Sequence, residues 1–140
     1  MIASELRTPA ERLAHAGLRP TRQRLALAKL VFQHGERHIS AESLHAEAIK
    51  AAVPVSLATI YNTLRSFTDR GLLREVLVGP GKVYFDTNGA DHHHFFFEGS
   101  GELADIPAHH VTLSKLPPTP EGAEVSRVDV IIRLAAAKPA

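Results

Sequence analysis

Residues 56–67, SLATIYNTLRSF, decide the fold of this chain. A serine directly before an apolar run is a favoured helix N-cap, and the apolar residues that follow recur at helical spacing. The stretch therefore predicts an amphipathic helix with one narrow buried stripe, formed by Leu57, Ile60, Leu64 and Phe67.

The opposite face of this helix carries small and hydrogen-bonding side chains. At about 100° per residue, Ala58, Asn62 and Arg65 point away from the stripe. Thr59 flanks them and Tyr61 lies at the border. Asn pairs with adenine and Arg with guanine or phosphate, so the face suits the DNA major groove. A merely solvated helix face usually carries Glu and Lys, and this helix has neither.

Three further helices are predicted upstream from their N-cap residues. Thr8-Pro9-Ala10-Glu11 is a capping box with proline at the first helical position. Thr21 begins a second helix, whose broad apolar face over residues 25–32 we expect to be largely buried. Ser40 begins a third, which ends before Pro54.

Residues 72–87 predict a β-hairpin around Gly79-Pro80-Gly81. Two helices joined by a short turn and followed by a hairpin are typical of a winged helix-turn-helix domain. Arg74 and Lys82 on the hairpin, and Arg19 ahead of the second helix, are then candidates for phosphate contact, and Arg19 also for the minor groove.

The chain changes character after Asn88-Gly89-Ala90. Residues 1–88 hold 12 Lys/Arg and 8 Asp/Glu, a net charge of +4, whereas residues 89–140 hold 4 and 7, a net charge of −3. Strands are predicted at residues 92–97, 102–106 and 125–134. We therefore expect an α+β protein with a winged helix-turn-helix domain (1–87), a hinge (88–91) and a small α/β dimerisation domain (92–140). A domain of about 50 residues is too thin to bury both faces of its own sheet, so we expect a dimer.

The most distinctive stretch of the second half is residues 91–97, DHHHFFF. In a strand, His92 and His94 share one face, roughly 7 Å apart, and one ion or one cofactor edge can engage both. A purification tag is disfavoured because the run is internal; solvated histidines remain an alternative. The chain has no cysteine, so a metal must be held by imidazole and carboxylate, which suits iron, manganese or zinc.

Four segments, AGLRPTRQR (16–24), RHISAESLH (37–45), SLATIYNTLRSFTDRGLL (56–73) and KVYFDTNGADHHHF (82–95), together resemble the ferric uptake regulator (Fur) family over nearly the whole chain. PVSLATIYNTL and the HHH tract are most similar to the iron response regulator (Irr) branch. The resemblance implies a homodimeric transcriptional regulator that binds double-stranded operator DNA. It places the family's base-contacting tyrosine at Tyr61 and its minor-groove lysine at Arg19. With the helix face, the predicted DNA-binding residues are Arg19, Ser56, Ala58, Thr59, Tyr61, Asn62 and Arg65.

The same resemblance implies a regulatory metal site that links both domains, with the ligands His38, Asp86, His92, His94 and Asp105. A second family site matches poorly, because its positions fall on Asp91, His93, Thr112 and Val128. The family's C-x-x-C pair aligns with Phe97 and Ser100, so no structural zinc held by four cysteines is expected. Asn62 stands where many family members have Arg, which implies a different operator.

The Irr resemblance implies that haem is the effector. Such a regulator acts on DNA when iron is scarce and is inactivated by haem, here through His92, His93 and His94 with apolar cover from residues 95–97. Haem or a haem-delivering protein would then be a partner. The alternative is a Fur-type regulator that uses Mn, Fe or Zn directly as corepressor.

Other classes of protein are disfavoured. There is no run of apolar residues long enough for a membrane span and no signal-peptide core in the first residues, so we expect a cytoplasmic protein without a membrane partner. The sequence has no H-E-x-x-H motif, recognisable Ser/His/Asp arrangement or phosphate loop, so we expect no enzyme. A pure interaction module is disfavoured by the acid-free helix face.

Overall fold

The computed structural model describes residues 7–137 of the chain. They fall into two compact units, the first ending at Gly89 and the second beginning at Ala90. We call residues 7–89 the helical unit and residues 90–137 the sheet unit. The described residues form four α-helices and six strands, which confirms the predicted α+β class. A hinge function for residues 88–91 stays a prediction.

The four helices all belong to the helical unit. Each begins at its predicted N-cap, whose hydroxyl accepts a backbone N–H from three residues further on. Helix α1 also has the complete capping box of Thr8 and Glu11. Gly71 follows the last helix with φ +78°, a conformation that glycine adopts without strain. The bounds are α1 Pro9–His15, α2 Arg22–Phe32, α3 Ala41–Lys50 and α4 Leu57–Asp69.

The apolar stripes of these helices meet in one core. Ile60, Leu64 and Phe67 of α4 are completely buried, while Leu57 at the end of the stripe is half-buried. The face of α2 is less uniformly buried than predicted, because Leu25, Leu30 and Phe32 lie at the edge of this core and keep some exposure. The core fixes which face of α4 is left outside.

A three-stranded antiparallel sheet completes the helical unit. Strands β2 (Arg74–Gly79) and β3 (Lys82–Asp86) form the predicted hairpin, and β1 (His38–Ile39) pairs with the other edge of β3. Two residues are too few to show a period-two pattern, so the sequence did not predict β1. The prediction that Arg74 contacts phosphate is wrong, since its side chain is buried in β2.

The sheet unit is built on β4 (His92–Phe97), with β5 (Glu102–Pro107) antiparallel on one side and β6 (Ile131–Leu134) parallel on the other. A short 3₁₀ turn, Ala108–His110, follows β5. The predicted final strand over residues 125–134 is correct only for its last four residues. Before them the chain has no regular structure and is largely exposed, so β-branched residues alone did not make a strand there.

Across residues 7–137, none of the helices has the length and hydropathy that a membrane span needs.

Candidate nucleic-acid interface and metal ligands

The outer face of α4 is open to solvent. Ala58, Asn62 and Arg65 are exposed, and Tyr61 is 39% exposed. Helical periodicity turns these residues outward because the opposite stripe is held in the core. A surface of this shape, with no acidic side chain between Leu57 and Thr68, can approach the floor of a DNA groove.

Two of the predicted DNA-binding residues also serve the start of the helix. The Ser56 hydroxyl accepts the Thr59 N–H at 3.1 Å and donates to Thr59 Oγ1 at 3.0 Å. Ser56 is exposed and Thr59 half-buried. Both side chains therefore take part in the N-cap of α4. Replacing either residue would affect the stability of the helix as well as its surface.

An acidic side chain from a neighbouring helix reaches this face. The Tyr61 hydroxyl donates to Glu42 Oε1 across 2.6 Å. The hydrogen bond holds the pKa of Glu42 below its ordinary 4.5 and raises the pKa of Tyr61 above its ordinary 10.0. At any pH between the lowered pKa of Glu42 and the raised pKa of Tyr61, the pair consists of a neutral phenol and a carboxylate. The sequence does not predict this contact, because a glutamate in the first turn of α3 is already accounted for by its favourable interaction with the helix dipole.

The other predicted phosphate contacts lie in turns. Arg19 is exposed, and its carbonyl accepts from Arg24 Nη1 at 2.7 Å, which braces the turn before α2. Lys82 is exposed where the hairpin turns. Both cations are available to a polyanion, unlike the buried Arg74.

His38 and Asp86 are brought together by the sheet of the helical unit. They are register partners on β1 and β3, and His38 Nε2 lies 3.0 Å from Asp86 Oδ2. Asp86 is completely buried, and its Oδ1 accepts the Asn88 N–H at 2.8 Å. A buried carboxylate requires charge compensation, which a protonated imidazole or a bound cation supplies.

The backbone on either side of this pair is clamped. Thr87 Oγ1 accepts the Arg37 N–H at 2.9 Å, and the Thr87 N–H donates to the Arg37 carbonyl at 3.1 Å. These bonds extend the pairing of β1 and β3 by one residue. They hold the two neighbouring candidate ligands in a fixed register.

Three more candidate ligands converge within the sheet unit. His92 and His94 lie on the buried face of β4, and Asp105 lies opposite His94 on β5. His92 Nε2 and His94 Nε2 approach the same oxygen, Asp105 Oδ1, at 3.2 and 3.3 Å. The two rings are 4.5 Å apart between centroids.

A backbone hydrogen bond fixes the tautomer of His92. Its Nδ1 lies 2.5 Å from the Ala90 carbonyl, and a carbonyl oxygen only accepts, so Nδ1 carries the hydrogen. In neutral imidazole Nε2 then has a lone pair, which would face a carboxylate oxygen. Either a second proton or a metal cation must stand between them. Holding one ring nitrogen by a backbone carbonyl is also how proteins orient a metal-bound histidine.

His93 has a different role from its two neighbours. It points to the other side of β4, and its Nδ1 accepts the Val130 N–H at 3.1 Å, directly before β6. The ring therefore fastens the segment that enters the last strand. The sequence gives no signal for this bond, because Val130 lies in the part of the predicted strand that did not form.

The chain matches the model of the ferric uptake regulator family over residues 15–132. The chain belongs to the ferric uptake regulator family. Members of this family are transcription regulators rather than enzymes, bind operator DNA as dimers and respond to divalent metals. For this chain the predicted family is therefore confirmed.

Two curated relatives are regulators named for peroxide. The chain is 34% identical over 107 residues to the peroxide operon regulator of Bacillus subtilis, covering 76% of this chain and 72% of that protein. It is 36% identical over 107 residues to the peroxide-responsive repressor PerR of Staphylococcus aureus, covering 75% and 70%. Among solved structures, the ferric uptake regulator from Pseudomonas aeruginosa with manganese shares the fold, with a TM-score of 0.72 and 22% sequence identity. The match covers 94% of this chain and 100% of that chain.

Proposed function

We propose that this Fur-family protein is a homodimeric transcriptional regulator that uses a divalent metal, Mn, Fe or Zn, as corepressor for binding to operator DNA. Its ligands are His38, Asp86, His92, His94 and Asp105. Its DNA contacts are Arg19, Ser56, Ala58, Thr59, Tyr61, Asn62 and Arg65.

The observation that carries the proposal is the convergence of two buried imidazoles on one carboxylate oxygen. His92 and His94 are 4% and 3% exposed, and both Nε2 atoms aim at Asp105 Oδ1. Imidazole and carboxylate donors suit Mn, Fe and Zn, and the chain has no thiolate to favour a softer metal. Bound there, the cation would supply the positive charge that this arrangement needs.

His38 and Asp86 form a second pair of suitable donors. The carboxylate is fully buried, and the Asn88 N–H holds its Oδ1 in place, so the orientation of the carboxylate is fixed. His38 and Asp86 lie on β1 and β3, in the sheet that also contains β2, the strand that follows α4. A metal held by both residues would therefore stiffen this sheet. The resemblance to the family implies that these two residues and the three in the sheet unit serve one regulatory site.

The exposed face of α4 supports the DNA-binding half of the proposal. Asn62 and Arg65 present amide and guanidinium donors outward, and Arg19 and Lys82 add cations in flanking turns. Phosphate contacts by Arg19 and Lys82 would supply affinity that falls as the salt concentration rises. The face of α4 would supply the sequence preference.

A second candidate effector is haem, acting through His92, His93 and His94. It is favoured by the run of three histidines before three phenylalanines, of which Phe97 is 39% exposed, and by the resemblance to the Irr branch. The two proposals predict opposite effects of the effector on operator binding. Metal would be required for operator binding, whereas haem would weaken it.

The test is a titration of DNA binding by the full chain. Purified protein selects duplexes from a random-sequence pool, once with Mn²⁺ present and once without added metal. The protein is then stripped with chelator, and its binding to the selected DNA is measured in the presence of Mn²⁺, Fe²⁺, Zn²⁺ or haem. We expect a divalent metal to restore binding to the stripped protein. Binding that is indifferent to every metal but is abolished by haem would replace the first proposal by the second. Hydrogen peroxide added to the Fe²⁺ sample separates a peroxide response, as in the names of the two curated relatives, from simple metal sensing.

Variants locate the effector. His94→Ala and His38→Ala should each lower the affinity for the same metal ion, and equilibrium dialysis should find one ion per wild-type chain if the five ligands form one site. His109→Ala is the matched control, because His109 is an exposed histidine outside the ligand set. Loss of metal binding in His109→Ala as well would contradict the assignment.

A further inference from the structure

The hydroxyl of Tyr61 has a single proton, and that proton points to Glu42. The bond is short, at 2.6 Å, as expected for a hydroxyl donating to a carboxylate. Both side chains are exposed, so the pair lies on the surface rather than in the core. A surface tyrosine that gives its proton to a neighbour can offer a third group only its oxygen lone pair and its ring.

The surroundings keep Glu42 ionised and in place. Glu42 is in the first turn of α3, where the positive end of the helix dipole favours a negative charge. The hydrogen bond from Tyr61 holds its pKa below the ordinary value. At neutral pH the carboxylate therefore remains the acceptor of this bond.

The pair borders a cleft between the helices and the hairpin. The cleft has a volume of about 260 Å³ and is lined by Ser40, Glu42 and Tyr61 on the helical side and by residues 81–84 of the hairpin on the other. Lys82 faces the cleft as its cationic member. Glu42 thus lies at the edge of the surface assigned above to DNA, where it repels phosphate.

We propose that Glu42 is a specificity-determining residue of the DNA interface, because it takes the only proton of the Tyr61 hydroxyl and leaves that oxygen able only to accept. The inference rests on the proposed function, in which Tyr61 contacts a base. In the major groove, adenine N6 and cytosine N4 are donors, whereas adenine N7, guanine O6 and N7 and thymine O4 are acceptors. Tyr61 held by Glu42 therefore favours the edges of adenine or cytosine, or packs its ring on a thymine methyl.

The carboxylate has a second effect on partner choice. Because it adds negative charge beside the DNA, it lowers affinity for every sequence equally. A complex then forms well only where the base contacts offset that repulsion. Glu42 would thus lower non-specific binding through its charge, while the discrimination between sequences would come from its hydrogen bond with Tyr61.

The experiment compares the base preferences of variants selected from one random-sequence duplex pool, with Mn²⁺ present. Glu42→Gln removes the charge but keeps an amide oxygen that accepts from Tyr61. It should keep the wild-type preference and bind an unrelated duplex several-fold more tightly. Glu42→Ala frees the proton of Tyr61, so one position of each half-site should shift towards bases with acceptor edges. Tyr61→Phe should lose the preference at that same position.

Controls separate the possible failures. Glu98→Gln removes an equal charge from the sheet unit and should leave base preference unchanged, and far-UV circular dichroism checks that each variant keeps its helices. If the wild type selects DNA and Glu42→Ala selects the same sequences, the inference about Glu42 fails and the proposed function stands. If Glu42→Gln and Glu42→Ala shift alike, charge rather than proton acceptance sets the preference, and the proposal is overturned. If the wild type selects no DNA under any metal condition, the proposed function fails and this inference with it.

Discussion

The helical unit and the sheet unit use their interiors differently. In the helical unit the buried positions of α4 are filled by Ile60, Leu64 and Phe67, and these belong to one apolar core shared with the other helices. In the sheet unit the buried positions of β4 are His92, His94 and Phe96, and Ile106 is the other buried apolar residue among residues 90–137. Two of the few interior positions of this unit are therefore imidazoles.

We propose that the two units divide stability and effector binding between them. An apolar core of the size found in the helical unit supports a fold by burial alone. The sheet unit gives up apolar burial at two central positions, so its stability depends on what compensates the histidines and Asp105. Such a unit is suited to respond to an effector, because binding of the effector changes a large part of its stability.

Leu64 lies in the centre of the helical core. Leu64→Ala removes a completely buried side chain from the helical core, and we expect a loss of about 2–5 kcal/mol in the free energy of unfolding, measured by urea titration with circular dichroism. Leu77→Ala is the control, since Leu77 is 60% exposed on β2 and its loss should change stability by no more than about 0.5 kcal/mol. Equal effects of the two variants would contradict a self-supporting helical core.

Metal should stabilise the sheet unit. With free Mn²⁺ at about 100 times its Kd, ligand binding to the folded state adds about 2.7 kcal/mol. His94→Ala or Asp105→Ala should abolish this gain, as seen in thermal melts with and without the ion. His109→Ala should retain it. A gain that persists in His94→Ala would show that the metal binds elsewhere.

His93→Ala tests whether the third histidine of the tract is structural. Loss of the hydrogen bond from the Val130 N–H should cost about 1 kcal/mol of stability and leave the metal affinity unchanged. Hydrogen exchange of the Val130 amide gives a direct local measurement, which should accelerate in this variant and not in His110→Ala. If His93→Ala instead abolishes effector binding at unchanged stability, His93 belongs to the sensing site.

The smallest expected effect lies in the capping box of α1. The side-chain hydrogen bond between Glu11 and Thr8 lowers the pKa of Glu11 below its ordinary 4.5 in the folded state. Its contribution to stability is therefore complete above 4.5 and lost as the pH falls through the lowered pKa. The difference in the urea midpoint of unfolding between wild type and Glu11→Gln should therefore become smaller as the pH is lowered through the pKa of Glu11. In a Thr8→Ala background, replacing Glu11 should have little further effect at any pH.

Much of the helical unit was predictable because its signals are local. Thr8, Thr21, Ser40 and Ser56 cap helices through bonds to residues three positions away, so short segments contain the whole interaction. The hairpin around Gly79-Pro80-Gly81 and the strand at residues 92–97 are equally local. The exposed face of α4 followed from periodicity alone.

The remaining features depend on contacts between residues far apart in the chain. Strand β1 exists only because β3 is there to pair with it, and Arg74 is buried only because its strand packs in the unit. The bond from Tyr61 to Glu42 joins two helices, and that from Val130 to His93 joins a loop to a strand. No pattern within a segment encodes such pairings.

By itself the sequence determined the four helices, the α+β class, the family and, through the family resemblance, the identity of the candidate ligands. The tertiary structure adds that His92 and His94 share one oxygen of Asp105 and that His93, on the other face, accepts the Val130 N–H. The physical reason is strand register. The turn at residues 98–101 sets which residue of β5 lies opposite His94, and alternation along β4 then assigns each histidine to its face.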